Sequence, residues 1–537
     1  MGGGPRFLIN FLFKEKKDND SASDTASKRD LHSAINPLAE PLPAWYEFYK
    51  RVKLFPWWLK YNVGLGQEAV LKDKIIQLGS KMGLQDKWLY RIIRHTVSEF
   101  SKKGLGTDYY GYHNINHELE AAYFTLLSAS GQNKEEENKF SQQDIIYLFV
   151  AALFHDYDPL KQFDKPHEDS VEWFLRNDDK IKGFIVDVGI SIDIVIAIIH
   201  RTAYPFRGKT AEHAEKRMEE LFTYAGISEN DTCIREHYKD LGWFLSVSER
   251  IAGYVLGDFE HSKELARRNA HALGWHPSLI NEESVKFFSL LKEEKEMFER
   301  VLNAISGEYR KNFFDNVAAF REAWRKEIDI RNSLRRKELS LVTVAEKIEN
   351  NLDSNVKASV LNIYRQLPFP IRINKDNFTK SLHDSDTILI TLRINDEHGE
   401  VVGYVKGGPL ENYTLRRGTR DENWGKKNTA YMEWISIKPG YWGETGGHIL
   451  RLEFLKEAKR REYLFITSYV HRNVVMRRID KGESIQIVQK YDPDRLDYYR
   501  VNLNNILHLT SIIPPAEMTH PDIGTMYIDE NSAPNID

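Results

Sequence analysis

The sequence predicts a multidomain chain, an all-α N-terminal domain followed by a smaller α/β domain. Over residues 41–339 apolar residues recur every three or four positions, and strand-like alternation is nearly absent. After LPFP at 367–370 the texture changes. TILITLRI at 387–394 is rich in β-branched residues, the turn DEHG follows, and VVGYV at 401–405 supplies a second strand. A strand at 431–437, a Gly-rich turn, a helix at 448–461, a strand at 463–469 and a helix at 473–481 complete an α/β unit.

Composition narrows the function classes. Hydrophobic residues make up 41% of the 537 and charged residues 29%, which excludes a fibrous or wholly disordered chain. The 75 basic and 79 acidic residues leave a net charge of −4, so the overall charge gives no reason to expect nucleic-acid binding. Cys233 is the one cysteine, which rules out an internal disulfide or a Cys-rich zinc site and suits a cytoplasmic location. Any metal therefore falls to His, Asp and Glu. No apolar run reaches the ~18 residues of a membrane span. The apolar stretch 7–13 is short for a secretion signal and is followed by KEKK without a small-residue cleavage site.

Residues 14–28 are polar, charged and rich in Ser and Asp, and 1–40 read as a disordered segment. The all-α domain is expected over 41–305, with the apolar run 145–154 as a buried helix. The strongly charged stretch 306–354 reads as a helical linker exposing Arg325, Arg331, Arg335 and Arg336. The α/β domain is expected over 355–500, and a loose tail rich in Pro, Asn and Asp over 501–537.

Histidines and acids concentrate in the helical half. YHNINHE carries His113 and His117, four apart, so a helical turn places both on one face. His155-Asp156 end the buried helix, His167-Glu168 open the next, His200 ends another apolar run, and Glu249 lies in SERIAGY. A His-Asp dipeptide delivers an imidazole and a carboxylate to a single ion, and this chemistry suits Zn, Mn, Mg or Fe. YHNINH, AALFHDYDP and HEDS together resemble the HD-domain metal-dependent phosphohydrolases, especially their cyclic-nucleotide phosphodiesterase branch. The resemblance implies His113 as the proton donor to the leaving oxygen and His117, His155, Asp156 and Glu249 as metal ligands. It also implies His167 and His200 as ligands of a second ion.

PGYWGETGGHIL lies between a strand and a helix. Backbone N–H groups there, with the helix N-terminus behind them, suit a pyrophosphate. Basic residues outnumber acidic ones across 448–481, which fits a polyphosphate ligand. With HRNVVMRRIDKG further on, the region resembles the GNAT acyl-CoA-dependent N-acyltransferases. That resemblance implies an acetyl-CoA or acyl-CoA site at Trp442, Gly443, Glu444, Thr445, Gly446, Gly447 and Asn473, with Glu433 as base. Ile479 stands where that family often has a tyrosine acid, and Tyr491 is a substitute for it.

The leading expectation is metal-dependent hydrolysis of a phosphoester, a cyclic nucleotide or nucleotide-like substrate, with an appended acyl-CoA domain. The alternatives are an N-acyltransferase regulated by a nucleotide-binding HD domain and a ligand sensor without turnover.

Overall fold

The computed structural model describes residues 67–102, 111–135, 140–159, 168–272, 277–348, 352–367, 375–416, 419–442, 445–480, 482–491 and 495–505. Expectations for residues 1–40 and for most of the tail lie outside them, as do those for His167, Gly443 and Glu444.

The first part is helical: α1 (Gln67–Lys81), α2 (Asp86–Lys102), α3 (Ile115–Glu135), α4 (Gln142–Phe154), α5 (Glu168–Asn177), α6 (Asp179–Asp187) and α7 (Ile192–His200). It continues with α8 (Gly208–Tyr224), α9 (Thr232–Leu256), α10 (Phe259–Ala272), α11 (Ile280–Glu293), α12 (Lys295–Ala304) and α13 (Gly307–Arg335). The apolar run predicted one buried helix, and α4 is that helix. Ser141 and Asp144 close a capping box at its start, and residues from Leu148 to Phe154 are buried on every side. Helices α3, α7 and α9 pack around it as one core.

The charged stretch after residue 306 is not an exposed linker. Phe313, Val317 and Phe320 of α13 are buried against α9 and α11. Asn316 donates to the carbonyls of Tyr254 (2.8 Å) and Gly257 (2.9 Å). The charges lie on the outer face of an amphipathic helix whose inner face belongs to the core. A strand then begins almost at once, β1 (Leu341–Ala345), so the helical part runs to Arg335.

The sheet part contains α14 (Ser354–Arg365), α15 (Lys375–Ser381), β2 (Ile388–Ile394), β3 (Val401–Pro409), β4 (Thr429–Met432) and β5 (Ser436–Ile437). It continues with α16 (Gly446–Arg460), β6 (Phe465–His471), α17 (Arg472–Asp480), β7 (Ile485–Gln489) and β8 (Leu496–Asn502). The strand order is β1-β2-β3-β4-β6-β8-β7, with β5 paired to β3. All pairs are antiparallel except β4 with β6, which run parallel from Thr429↔Phe465 to Tyr431↔Thr467. The single strand expected at 431–437 is thus two, broken at 433–435. Helix α16 covers one sheet face through Leu450, Phe454 and Ala458 on Ile390, Val405 and Ala430. Helix α14 covers the other through Val360 and Tyr364 on Leu389 and Tyr404.

The two parts are packed together. Arg267 donates to the Gln366 carbonyl (3.0 Å), and the His271 and His471 rings meet edge to face at 4.7 Å. At Gly440 (φ 92°) a Cβ would stand 2.7 Å from Ile330 Cδ1, so a side chain there would push α13 off the turn.

Candidate functional site

Helix α3 starts one residue after Asn114, whose side chain accepts from the N–H groups of Asn116 (2.8 Å) and His117 (3.3 Å). His113 therefore precedes the helix and does not share a helical face with His117, contrary to the spacing argument. The chain nevertheless brings the two rings within 5.9 Å. From the far side α4 delivers His155 as its C-cap, followed by Asp156. His117 Nε2 lies 3.1 Å from His155 Nε2 and 3.1 Å from Asp156 Oδ2. His155 Nε2 lies 3.3 Å from the same carboxylate oxygen, and His113 Nε2 lies 3.5 Å from it. Glu249, on α9, places Oε2 3.9 Å from His155 Nε2.

These residues fit a divalent ion. His117, His155 and Asp156 each offer one ligand atom, all within 4.8 Å of one another. His155 Nδ1 donates to the Ala152 carbonyl (2.9 Å), which fixes the ring and turns Nε2 to the centre. Two imidazoles and one or two carboxylates suit Zn, Mn, Mg or Fe. His117, His155 and Asp156 would hold the ion, with Glu249 in reach. Such an ion supplies Lewis acidity, acidifying a bound water and polarising a phosphoryl oxygen.

Electrostatics agree with this donor set. Burial opposes ionisation of Asp156, yet His155 and His113 hold its carboxyl well below the ordinary range. Burial likewise disfavours a charged His155, but Asp156 and Glu118 raise it well above its usual value. Glu249 is pushed up to about 7, chiefly by burial.

His200 does not join this centre. It groups with Asp169 and Glu172, its Nε2 lying 3.5 Å from Glu172 Oε2. Glu172 is already claimed by Arg176 (2.7 Å) and Arg217 (2.6 Å), so two guanidinium groups supply the positive charge there.

A second site opens where two parallel strands separate. Pairing between β4 and β6 stops at Tyr431 and Thr467. Beyond it β5 turns aside to pair with β3, while β6 runs on to His471 against β8. A cavity of about 260 Å³ fills the wedge, lined by Trp434, Ile435, Ser436 and Ile437 on one side and Val470 and His471 on the other. Among the described residues, no strand pairs with the β6-facing edge of 434–437. Trp442 also lines the cavity. Helix α16 begins after Thr445, a β-branched residue held at φ 62°. At Gly446 a Cβ would meet Leu392 Cδ2 at 2.8 Å, so this glycine seats the helix start on the sheet. Gly447 is less crowded, with Ile437 Cδ1 at 3.8 Å. Asn473, in the first turn of α17, donates its backbone N–H to His471 Nδ1 (3.3 Å). Burial and the nearby His271, Arg477 and Arg472 push His471 down to about 3, so its ring is neutral at ordinary pH.

Glu433 stands elsewhere than a free base would. It lies outside the cavity lining that Trp434 joins. There it forms a buried ion pair with Lys406 and accepts from Tyr413 Oη (2.7 Å). Ile479 packs with Val475, Tyr499 and Val501. Tyr491 bonds to Thr419, and its ring lies under Arg416 at 4.4 Å, apart from the cavity lining. Sequence reasoning missed His471 and Arg477, which lie inside HRNVVMRRIDKG but were not singled out. It also missed Arg267 and His271, which line the cavity from the helical part and carry no local signal.

No family model and no curated protein matches the sequence. Among solved structures the chain is similar to an acetyltransferase of the GNAT family from Staphylococcus aureus, at 14% identity over 30% of this chain and 99% of that one, with a TM-score of 0.22. It is similar to a GNAT family N-acetyltransferase from Escherichia coli in complex with CoA, at 14% identity over 31% and 82%, with a TM-score of 0.20. A cAMP-binding acyltransferase from Mycobacterium smegmatis matches at 12% identity over 40% and 56%, with a TM-score of 0.19. At these identities and TM-scores no activity passes from them to this chain.

Proposed function

We propose that the chain is an acyl-CoA-dependent N-acyltransferase of the GNAT type whose helical part is an HD-type metal domain acting on it. The strand divergence at Trp434–Ile437 carries this reading. Strand edges left without a neighbour must find hydrogen-bond partners. The arm of CoA is a narrow chain with two amide groups, so it matches a slot walled by such an edge and by apolar side chains. Its pyrophosphate then falls to the start of α16, where backbone N–H groups and the helix dipole favour anions. In the transfer an amine attacks the thioester carbon, the C–N bond forms and the C–S bond breaks. The amine's proton leaves to a base and the sulfur departs as thiolate. Glu433, ion-paired to Lys406 and bonded by Tyr413 outside the cavity lining, is not free to take that proton, which passes to solvent water.

Titration of the full chain with acetyl-CoA and CoA, followed by thiol release against an amine panel, tests the proposal. Saturable binding with acceptor-dependent thiol release supports it, and no binding at millimolar ligand overturns it.

A second reading is carried by the His117–His155–Asp156 convergence, with His113 beside it: metal-dependent hydrolysis of a phosphoester, with a cyclic nucleotide or other nucleotide-like substrate. Elemental analysis and a phosphoester panel test it. Metal without turnover of any phosphoester leaves the helical part as a regulatory domain.

A further inference from the structure

One helix touches both sites. Near its start, His261 of α10 pairs with Glu120 of α3 at 3.1 Å, one turn beyond the metal-site residue His117. The same end of α10 is locked to α9, which carries Glu249. Ser262 Oγ donates to the Gly253 carbonyl (3.1 Å). A Cβ on Gly253 would stand 2.2 Å from Leu265 Cδ1, and one on Gly257 would stand 2.1 Å from His261 Cδ2. These contacts pack the start of α10 closely on α9, while the His261–Glu120 pair ties it to α3. At the other end Arg267 and His271 wall the strand-divergence cavity, His271 against His471 and Arg267 6.0 Å from the Trp442 ring. His261 and His271 are separated by about 15 Å of helix.

The cavity, at about 260 Å³, is smaller than the roughly 300–1,000 Å³ usual for small-molecule sites. An acyl-CoA arm seated there therefore bears on its walls, the α10 side chains Arg267 and His271 among them. The strands are held by the sheet, whereas the α10 wall rests on other helices, among them α9 and, through His261–Glu120, α3, which carry Glu249 and His117. We propose that α10 couples the two sites antagonistically. An ion on His117, His155 and Asp156 fixes α3 to the end of α4 and, through Glu249 beside His155, steadies α9, and with them the α10 wall of the cavity. Acyl-CoA, by displacing the end of α10 that bears Arg267 and His271, loosens the metal site. The proposal rests on the acyl-CoA reading of the cavity.

The test is calorimetry of CoA binding to the full chain, once after chelation and once with saturating Mn²⁺. CoA should bind at least ~5-fold more weakly with the ion present, and by linkage Mn²⁺ should bind more weakly by the same factor in the presence of CoA. In Asp156→Ala, which lacks an ion ligand, added Mn²⁺ should leave CoA affinity unchanged, which accounts for any Mn²⁺ bound by CoA itself. His261→Ala should still bind both ligands while the factor falls to about one. Glu120→Gln keeps the side-chain shape and gives the same readout should the histidine variant not fold. Equal or tighter CoA binding with Mn²⁺ overturns the coupling and leaves the acyl-CoA reading standing. No CoA binding in either condition overturns that reading, and the coupling with it.

Discussion

The helical centre is made of side chains and the sheet cavity largely of backbone. In the first, His117, His155 and Asp156 converge from two helices and the turn after one of them, and each position matters because its side chain would be a ligand of the proposed ion. In the second, the opening exists because β5 leaves β6 to join β3, and much of the lining is strand edge and apolar surface. A side-chain site should therefore fail sharply when one residue changes. A backbone site should tolerate most side-chain changes and fail only where something is put in the way.

The largest effect is expected at Asp156. Asp156→Ala removes a ligand from the trio and should take metal content per chain to near zero by elemental analysis. His113→Ala, outside the trio, should keep its metal. If a phosphoester is hydrolysed, His113→Ala should slow that reaction by roughly the 10²–10⁴ of a lost general acid. Metal retained in Asp156→Ala would break the side-chain half of the comparison.

The matching change in the cavity adds an obstacle. Gly447→Asp has room for its Cβ, with Ile437 Cδ1 at 3.8 Å, and an acidic residue in the first turn suits the helix dipole. The fold should be unharmed. Acyl-CoA binding should weaken by at least ~10-fold, since a carboxylate then faces the pyrophosphate. Unchanged affinity would move the phosphates away from α16.

A milder test uses pH. Burial disfavours a charged His155, but Asp156 and Glu118 raise it well above its usual value, so protons compete with an entering ion for its ring. Apparent metal affinity should rise by up to about tenfold per pH unit while His155 remains protonated, and should fall on acidification. A flat profile would mean that His155 is not a ligand.

The contrast between the sites also explains what the sequence revealed. His113, His117, His155 and Asp156 were legible because they lie in two short motifs, one at the start of α3 and one at the end of the apolar α4, so local pattern and site coincide. The α/β texture and the Gly-rich turn were legible for the same reason. The strand break at 433–435 was not, because Tyr431 to Ile437 is uniformly strand-like and the break comes from pairing with β3. Nor was the role of α13, whose charged face hid Phe313, Val317 and Phe320. Glu433 was misplaced because alternation alone could not say that Lys406 would stand opposite it. Arg267 and His271 meet the cavity only through tertiary packing.

The smallest effect lies at the seam between the two regions. Burial pushes Glu327 up to about 7, and it accepts from Asn281 at 2.7 Å. Because its folded-state value is raised, its favourable contribution is present at low pH and lost as pH rises through about 7. Glu327→Gln keeps an acceptor and removes the charge. It should change little at pH 5 and add about 1–3 kcal/mol at pH 8, a rise in Tm of several degrees. A Tm gain equal at both pH values would show that ionisation is not the cause.

The central claim is that the divergence of β5 from β6 forms an acyl-CoA site. Titration calorimetry of the intact chain with acetyl-CoA tests it most directly, with Gly447→Asp beside the wild type. The account predicts saturable one-to-one binding that Gly447→Asp weakens by at least ~10-fold without loss of thermal stability. Absence of binding at millimolar acetyl-CoA, or equal binding by both proteins, would contradict it.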